Sequence, residues 1–108
     1  MYEYKELYTI NFSNVQYYME IHRIIQKALD FPDYYGCSLD ALWDCLRDMV
    51  GEPIHIEILG LDIIERRFGD YALKLVETFR EFKHYRNDKY SNDIHIEIVS
   101  GDVRISLD

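Results

Sequence analysis

Residues 54–59, IHIEIL, and residues 94–99, IHIEIV, decide the fold of this chain. In both segments isoleucine alternates with His or Glu, and such alternation predicts a strand with one apolar and one polar face. Between them, residues 70–85 have the apolar spacing of a long amphipathic helix, and a short helical turn is expected around residues 62–68. Strands joined by helical crossovers are expected to lie parallel in one sheet.

The flanking segments complete the predicted sheet. Residues 8–12 are rich in β-branched and aromatic residues, which favours a first strand that ends at Ser13, and Ser13 is expected to cap a helix over residues 14–29. The sequence Ser-Gly-Asp at residues 100–102 separates the third strand from residues 103–107, a spacing typical of a β-hairpin. The sequence therefore predicts an α/β fold with a three-stranded parallel sheet, about four helices and a C-terminal antiparallel edge strand.

The size and charge of the chain limit its function. A chain of 108 residues with 48% hydrophobic content is expected to form one compact domain over residues 1–108. Asp and Glu number 20 against 12 Lys and Arg, so the formal net charge is -8. Direct binding of nucleic acid is disfavoured, because phosphate binding depends on Lys and Arg. A basic protein is the partner that this charge favours.

The cysteines and the N-terminus indicate a compartment. Cys37 and Cys45 are the two cysteines of the chain, and their spacing matches neither a disulfide framework nor a zinc site. The N-terminal sequence MYEYKELYTINF lacks the features of a signal peptide, and no apolar run is long enough to span a bilayer. We therefore expect a cytoplasmic protein without a membrane partner.

The segment FPDYYGCSLDALWDCL, residues 31–46, carries the strongest functional signal. It predicts a loop with exposed aromatic residues, followed by a helix that Ser38 caps. Asp40 and Asp44 lie four residues apart on one side of that helix, and like charges at this spacing destabilise a helix by roughly 0.2 to 0.5 kcal/mol. Folding therefore does not require this pair of acids.

Aromatic residues flank the acidic stripe. Tyr34 and Tyr35 precede it and Trp43 lies within it, so the segment combines aromatic anchors with charges that can steer a basic partner. The alternative is structural: most charged helix faces are merely solvated, and tyrosines often cover a core. Composition alone favours that alternative.

A family resemblance favours the functional interpretation. The segment closely resembles the LPEYYGENLDALWDCL type of segment in barstar and its relatives, which are intracellular inhibitors of bacterial ribonucleases such as barnase. The tyrosine pair, the glycine and the run Leu-Asp-Ala-Leu-Trp-Asp-Cys-Leu carry the likeness. It continues in order through the turn at Pro53, the strand at Ile54, the triplet Phe-Arg-Glu at residues 79–81 and the strand at Ile94.

The resemblance implies a mechanism and a set of contact residues. An inhibitor of this family plugs the active site of a basic ribonuclease with its second helix and the preceding loop. By resemblance, Asp44 is the principal carboxylate that meets the Arg and Lys groups of the nuclease, and Asp40 forms a second charge pair. Tyr34 is expected to pack on a catalytic-site side chain and Glu81 to add a peripheral contact. The remaining expected contacts are Tyr35, Gly36, Ser38, Leu39, Ala41 and Trp43.

This chain also departs from the family pattern. Cys37 and Ser38 stand where the best-known member has an acid and an amide, and Met49 replaces an aromatic residue. Additional N-terminal residues and the hairpin at Gly101 lie outside the pattern. We therefore expect the rim of the contact surface, and the nuclease that it binds, to differ from those of the best-known family member.

Other chemistry is disfavoured by the sequence. A polar strand face with two histidines and two glutamates could bind a divalent metal, but such faces are usually solvated; these residues are His55, Glu57, His95 and Glu97. Cys37 has no neighbouring base or cation in the sequence that would activate it as a nucleophile. A hydrolytic acid pair needs a cleft, which a helix surface does not offer. We therefore expect no catalytic residue, metal, cofactor or small-molecule substrate.

Two further binding functions remain open. One is an immunity protein that neutralises a different toxin nuclease with the same fold and an altered loop. The other is a non-enzymatic domain that assembles with a larger complex.

Overall fold

The computed structural model describes residues 7–33, 35–49, 54–90 and 94–107, with the backbone alone for residues 86–90. These residues form four helices and four strands. In order they are β1 (Tyr8–Asn11), α1 (Tyr18–Ala28), α2 (Leu39–Arg47), β2 (Ile54–Leu59), α3 (Leu61–Phe68), α4 (Tyr71–Tyr90), β3 (Ile94–Ser100) and β4 (Val103–Ser106).

The four strands form one sheet in the order β1-β2-β3-β4. The first three strands are parallel, and β4 pairs antiparallel with β3 at the edge of the sheet. The two similar segments lie in register, with Ile54 opposite Ile94 and His55 opposite His95. The predicted α/β fold, with its parallel sheet and antiparallel edge strand, is confirmed.

The alternation within the strands separates a core face from a polar face. The isoleucines of β2 and the first two of β3 are buried, whereas His95 on the other face is exposed. Full burial of a side chain of this size stabilises the fold by about 1.5 to 3 kcal/mol. The same hydrophobic cluster includes Ile21 of α1, Leu42 of α2 and Phe79 of α4, so the helices cover the isoleucine face.

The prediction that Ser13 caps the first helix is wrong. The helix begins at Tyr18, and the backbone N–H groups of Gln16 and Tyr17 donate to the Glu20 carboxylate at 2.8 Å. The backbone N–H of Ser13 instead donates to the Asn11 side chain. The carboxylate in the first turn satisfies N–H groups at this helix end, and its charge suits the helix dipole.

The polar loop predicted over residues 86–92 is wrong for residues 86–90, which continue α4. These residues include no Gly or Pro, and Arg and Lys are good helix formers, so polarity alone does not end the helix. Residues 91–93 lie outside the described residues.

The predicted end of the second helix at Gly51 and Pro53 also lies outside the described residues. The helix α2 ends earlier, at Arg47.

Gly60 joins β2 to α3 at a point where only glycine fits. Its φ is +76°, and a Cβ added there would lie 2.5 Å from the backbone nitrogen of Ser13. The approach is close because the end of β1 crosses this turn, where the Phe12 N–H donates to the Leu59 carbonyl at 2.8 Å. Both the backbone conformation and the available space exclude a side chain.

We expect Gly60→Ala to lower the free energy of unfolding by about 2 to 5 kcal/mol in urea titrations. Left-handed backbone costs an L-residue about 1 to 2 kcal/mol, and overpacking adds about 1 to 3 kcal/mol. Gly101→Ala is the matched control, because Gly101 also has a positive φ of +59° but an added Cβ meets nothing within 4 Å. Equal losses for the two variants would contradict the proposed clash at Gly60.

Candidate functional site

The acidic helix α2 begins at Ser38, as the sequence predicts. The Ser38 hydroxyl accepts a hydrogen bond from the Ala41 N–H at 3.1 Å, which satisfies one free donor at the helix start. Leu42 and Leu46 are fully buried. Because these two leucines face the core, the residues on the opposite side of α2 face solvent.

Asp40 and Asp44 both lie on this solvent-facing side. Asp40 is exposed, and within the described part of the chain no hydrogen bond or ion pair to its carboxylate is found. The side chain of Asp44 is 67% exposed. The expected surface position of both side chains is confirmed, but the expectation that the chain's own arginines and lysines leave both carboxylates unpaired is wrong for Asp44.

Asp44 nevertheless has a partner that the sequence analysis missed. Arg47 Nη2 donates to Asp44 Oδ1 at 2.7 Å, from three residues further along the helix. The guanidinium carbon of Arg47 also lies 5.5 Å from the centre of the Trp43 ring. The pKa of Arg47 is raised, mainly by its hydrogen bond to Asp44. The spacing of three residues was the available signal, since side chains at i and i+3 are neighbours on a helix.

Trp43 connects α2 to α4. It is half-buried, and its ring meets the Tyr85 ring edge-to-face, with 5.6 Å between the ring centres. Glu81 is exposed and lies four residues before Tyr85, so it is on the same side of α4. The structure therefore brings the later helix, with Glu81, to the side of the acidic helix.

The prediction that the loop tyrosines are exposed is wrong for Tyr35, which is only 6% exposed. Its hydroxyl pairs with Nδ1 of His22 at 2.6 Å, and its ring packs against Phe31. A buried hydrogen-bond partner for the hydroxyl allows the whole side chain to join the core. Tyr34 lies outside the described residues.

The other predicted contact residues surround the acidic stripe. Gly36 and Ser38 are exposed, whereas Leu39 and Ala41 are half-buried. An added Cβ at Gly36 would lie 3.4 Å from the Ala41 Cβ, so the loop runs close to the first turn of α2. The contact roles of all the predicted residues, Tyr35 and Glu81 included, remain predictions.

His22 is a buried polar residue that the sequence analysis missed. It is fully buried on α1, and its Nε2 is hydrogen-bonded to the Tyr71 hydroxyl while its Nδ1 pairs with Tyr35. The signal was its spacing, four residues after Tyr18 and three before Ile25 on the apolar side of the helix. Burial lowers the pKa of His22 and raises that of both tyrosines. This hydrogen-bonded group ties the loop before α2 to α1 and α4.

The lowered pKa of His22 predicts a pH-dependent stability. In an unfolded chain the imidazole ionises near pH 6.5, so protons bind the unfolded state more readily. The free energy of unfolding should be fully retained above about pH 6.5 and should fall as the pH decreases towards the lower folded pKa, by at most about 1.4 kcal/mol per pH unit. Urea titrations between pH 8 and pH 5 measure this slope.

His22→Asn is the companion variant for this measurement, because it removes the titrating ring. Its stability at pH 8 should be lower, since the hydrogen bonds to Tyr35 and Tyr71 are disturbed. The decrease between pH 6.5 and pH 5 should become shallower than in the parent. An unchanged slope in His22→Asn would assign the effect to another group.

The polar face of the sheet holds a network of charges. His55 Nε2 lies 2.8 Å from Glu97 Oε1, and Arg104 Nη1 donates to both Glu57 and Glu97 at 3.1 and 3.3 Å. Thr9 donates to Glu57 at 2.8 Å, and this hydrogen bond is the main cause of the lowered pKa of Glu57. Among the residues that the structure describes, no group of three or more His, Cys, Asp or Glu could hold a metal ion.

The thiols and the helices allow two further observations. Cys37 is half-buried, Cys45 is buried, and both are free thiols. Burial is the main cause of the raised pKa of Cys45. Within the described ranges, none of the helices combines the length and apolar character needed to cross a bilayer.

Two comparisons with known proteins identify the family of this chain. The family model described as "Barstar (barnase inhibitor)" matches residues 6–98 of the chain. A curated protein of Bacillus subtilis (strain 168), named "Putative ribonuclease inhibitor YrdF", is 34% identical over 80 residues. The alignment covers 74% of this chain and 85% of that protein.

Proposed function

This chain belongs to the barstar family, and on that premise we propose that it inhibits a basic ribonuclease by covering its active site with α2 and the preceding loop. The family description and the name of the Bacillus relative both point to a ribonuclease inhibitor rather than to an enzyme. What we propose beyond the family assignment is that the partner is a basic ribonuclease and that α2 and the preceding loop contact it.

The observation that carries the proposal is the exposure of Asp40 and Asp44, one helical turn apart on α2. A carboxylate accepts hydrogen bonds from guanidinium groups much as a phosphate does. Two exposed carboxylates can therefore occupy the places that substrate phosphates take in a ribonuclease. The net charge of -8 adds long-range attraction for a basic partner.

The ion pair between Asp44 and Arg47 is compatible with this role. The Asp44 side chain is two-thirds exposed, and ion pairs in water are weak because solvent screens them. One carboxylate oxygen, Oδ2, is not part of the pair. A partner cation can therefore reach Asp44 without prior unfolding of any element.

The aromatic part of the proposed surface includes Trp43 and, by resemblance, Tyr34. Trp43 is held edge-to-face by Tyr85, so its position is already fixed before binding. Ordered aromatic residues lose little conformational entropy when a partner covers them. Glu81 would add a charge contact at the rim, from the neighbouring helix.

A cleavage assay tests the proposal directly. Equimolar addition of the chain to a barnase-type ribonuclease should abolish RNA cleavage. Unchanged cleavage would instead favour an immunity protein for a different toxin nuclease, which the differences at Cys37, Ser38 and Met49 make a specific alternative. A pull-down that recovers only partners other than nucleases would favour an assembly domain.

We expect Asp44→Ala to weaken inhibition of that ribonuclease by more than about 30-fold, since removing one member of a desolvated charge pair costs about 2 to 5 kcal/mol. Inhibition titrations give the change, and thermal melting shows whether the fold is intact. Asp62→Ala is the matched control, because Asp62 is also an exposed aspartate on a helix with an arginine partner, Arg66 at 3.6 Å. An Asp44→Ala variant that unfolds, or inhibits like the parent, would refute the role of Asp44.

Salt is expected to slow the association with a basic ribonuclease. The Debye length falls from about 10 Å at 0.1 M to about 3 Å at 1 M ionic strength, so steering by the negative charge is screened. Stopped-flow association rates should drop at least tenfold between low and high salt, with a smaller effect on dissociation. An association rate that does not depend on salt would argue against steering.

We also propose a cytoplasmic location. The two cysteines are present as free thiols in the structure, and free thiols fit a reducing compartment. Inhibition of a ribonuclease inside the cell that makes it would be the corresponding physiological role.

A further inference from the structure

Arg47 places a positive charge on the acidic side of α2. Its side chain is 41% exposed, and its Nη2 lies 2.7 Å from Asp44 Oδ1. The proposed contact surface is therefore not uniformly negative. Asp40 is a bare carboxylate, whereas Asp44 is half of an ion pair.

Two contacts hold Arg47 in this position. Its guanidinium donates to Asp44, and its carbon Cζ lies 5.5 Å from the centre of the Trp43 ring. Trp43 and Tyr85 are in turn packed against each other. The long side chain is therefore held by two residues of α2, one of which packs against α4, in contrast to a surface arginine with a single exposed partner.

Occupation of Oδ1 changes what Asp44 can bind. A partner arginine recognises a carboxylate best through two parallel hydrogen bonds, one to each oxygen. With Oδ1 taken by Arg47, an incoming cation finds only Oδ2 without displacing the internal partner. The charge of Arg47 also repels a second guanidinium at the same place.

We propose that Arg47 is a specificity-determining residue of this surface, which disfavours nucleases that grip Asp44 with a two-point guanidinium contact. The surface would instead suit a nuclease that offers a single cation to Asp44 and an acidic side chain to Arg47. This inference rests on the proposed function, because it assigns the partner class of the same helix.

The alternative is that Arg47 only stabilises the end of α2. A cation in the last turn suits the helix dipole whatever the partner. The two roles differ in their effect on binding. A dipole role predicts that Arg47→Met lowers stability and leaves partner affinity alone, whereas the specificity role predicts a gain in affinity for a nuclease rich in arginine.

The test compares the parent, Arg47→Met, Arg47→Lys, Asp44→Ala and Asp44→Ala/Arg47→Met as ligands for barnase, with dissociation constants from calorimetry. Arg47→Met should bind at least fivefold more tightly than the parent. Arg47→Lys keeps the positive charge but lacks the planar guanidinium group, and its dissociation constant should lie between those of the parent and Arg47→Met. When Asp44→Ala is the reference, adding Arg47→Met should give a smaller gain. Arg66→Met, next to Asp62 on α3, is the control and should bind like the parent.

The outcomes separate this inference from the proposed function. If the parent inhibits barnase and Arg47→Met binds no better, the inference is overturned while the inhibitor function stands. A full gain that persists in the Asp44→Ala background would also overturn it, because Arg47 would then act as a general charge. If the parent fails to bind but Arg47→Met binds, the inference is supported. If neither binds, Arg47 is not what excludes barnase and the inference fails, while other basic ribonucleases test the function.

Discussion

The parallel pairing of β2 with β3 is the constraint on which the rest of the structure depends. Because the two segments share the pattern IHIEI and lie in register, each residue of this pattern lies opposite an identical residue on the neighbouring strand. On one face, isoleucine meets isoleucine, which gives a continuous apolar surface that the helices cover. On the other face the same register sets Glu57 beside Glu97, an unfavourable juxtaposition of like charges. Arg104 of β4 forms ion pairs with both carboxylates, which reduces the repulsion between them.

The orientation of the acidic helix follows from this core. Leu42 and Leu46 are fully buried in the core, and helical periodicity then leaves Asp40 and Asp44 outside. Ser38 fixes the start of the helix, and the contact between Trp43 and Tyr85 fixes its distance from α4. The position of the carboxylates is therefore a consequence of packing, while their chemical identity is not. Like charges at this spacing cost the helix a small amount of stability, so packing and folding do not explain why these two residues are acids.

The sequence predicted those features that depend on local pattern. The alternating strands, the hairpin after Ser100 and the cap at Ser38 were correct because each depends on a few neighbouring residues. The errors arose where distant groups decide the outcome. The hydroxyl of the buried Tyr35 is hydrogen-bonded to His22, thirteen residues earlier. Ser13 is not a cap, because the helix begins later and the Glu20 carboxylate binds the N–H groups at its start.

At the candidate site, too, the features that depend on local pattern were predicted and those that depend on side-chain conformation or tertiary contacts were missed. The exposure of the two aspartates followed from helical spacing, but the resemblance to known inhibitors, not the spacing, selected them as functional. The ion pair from Arg47 was missed because periodicity gives the side of a helix, not the rotamer of a long side chain. The edge-to-face contact of Trp43, which carries that arginine, with Tyr85 was also missed, because it depends on the tertiary packing of α2 against α4.

The position of Arg104 on the last strand has one more consequence. β4 is an edge strand, and its apolar residues Val103 and Ile105 are more than half exposed. Such an edge is a template on which a second molecule can add its own strand and start an aggregate. Arg104 sits between these two residues, and a charged side chain in the middle of an edge strand opposes that growth. Arg104, which pairs with Glu57 and Glu97 within one molecule, thereby also opposes the edge-to-edge association of separate molecules.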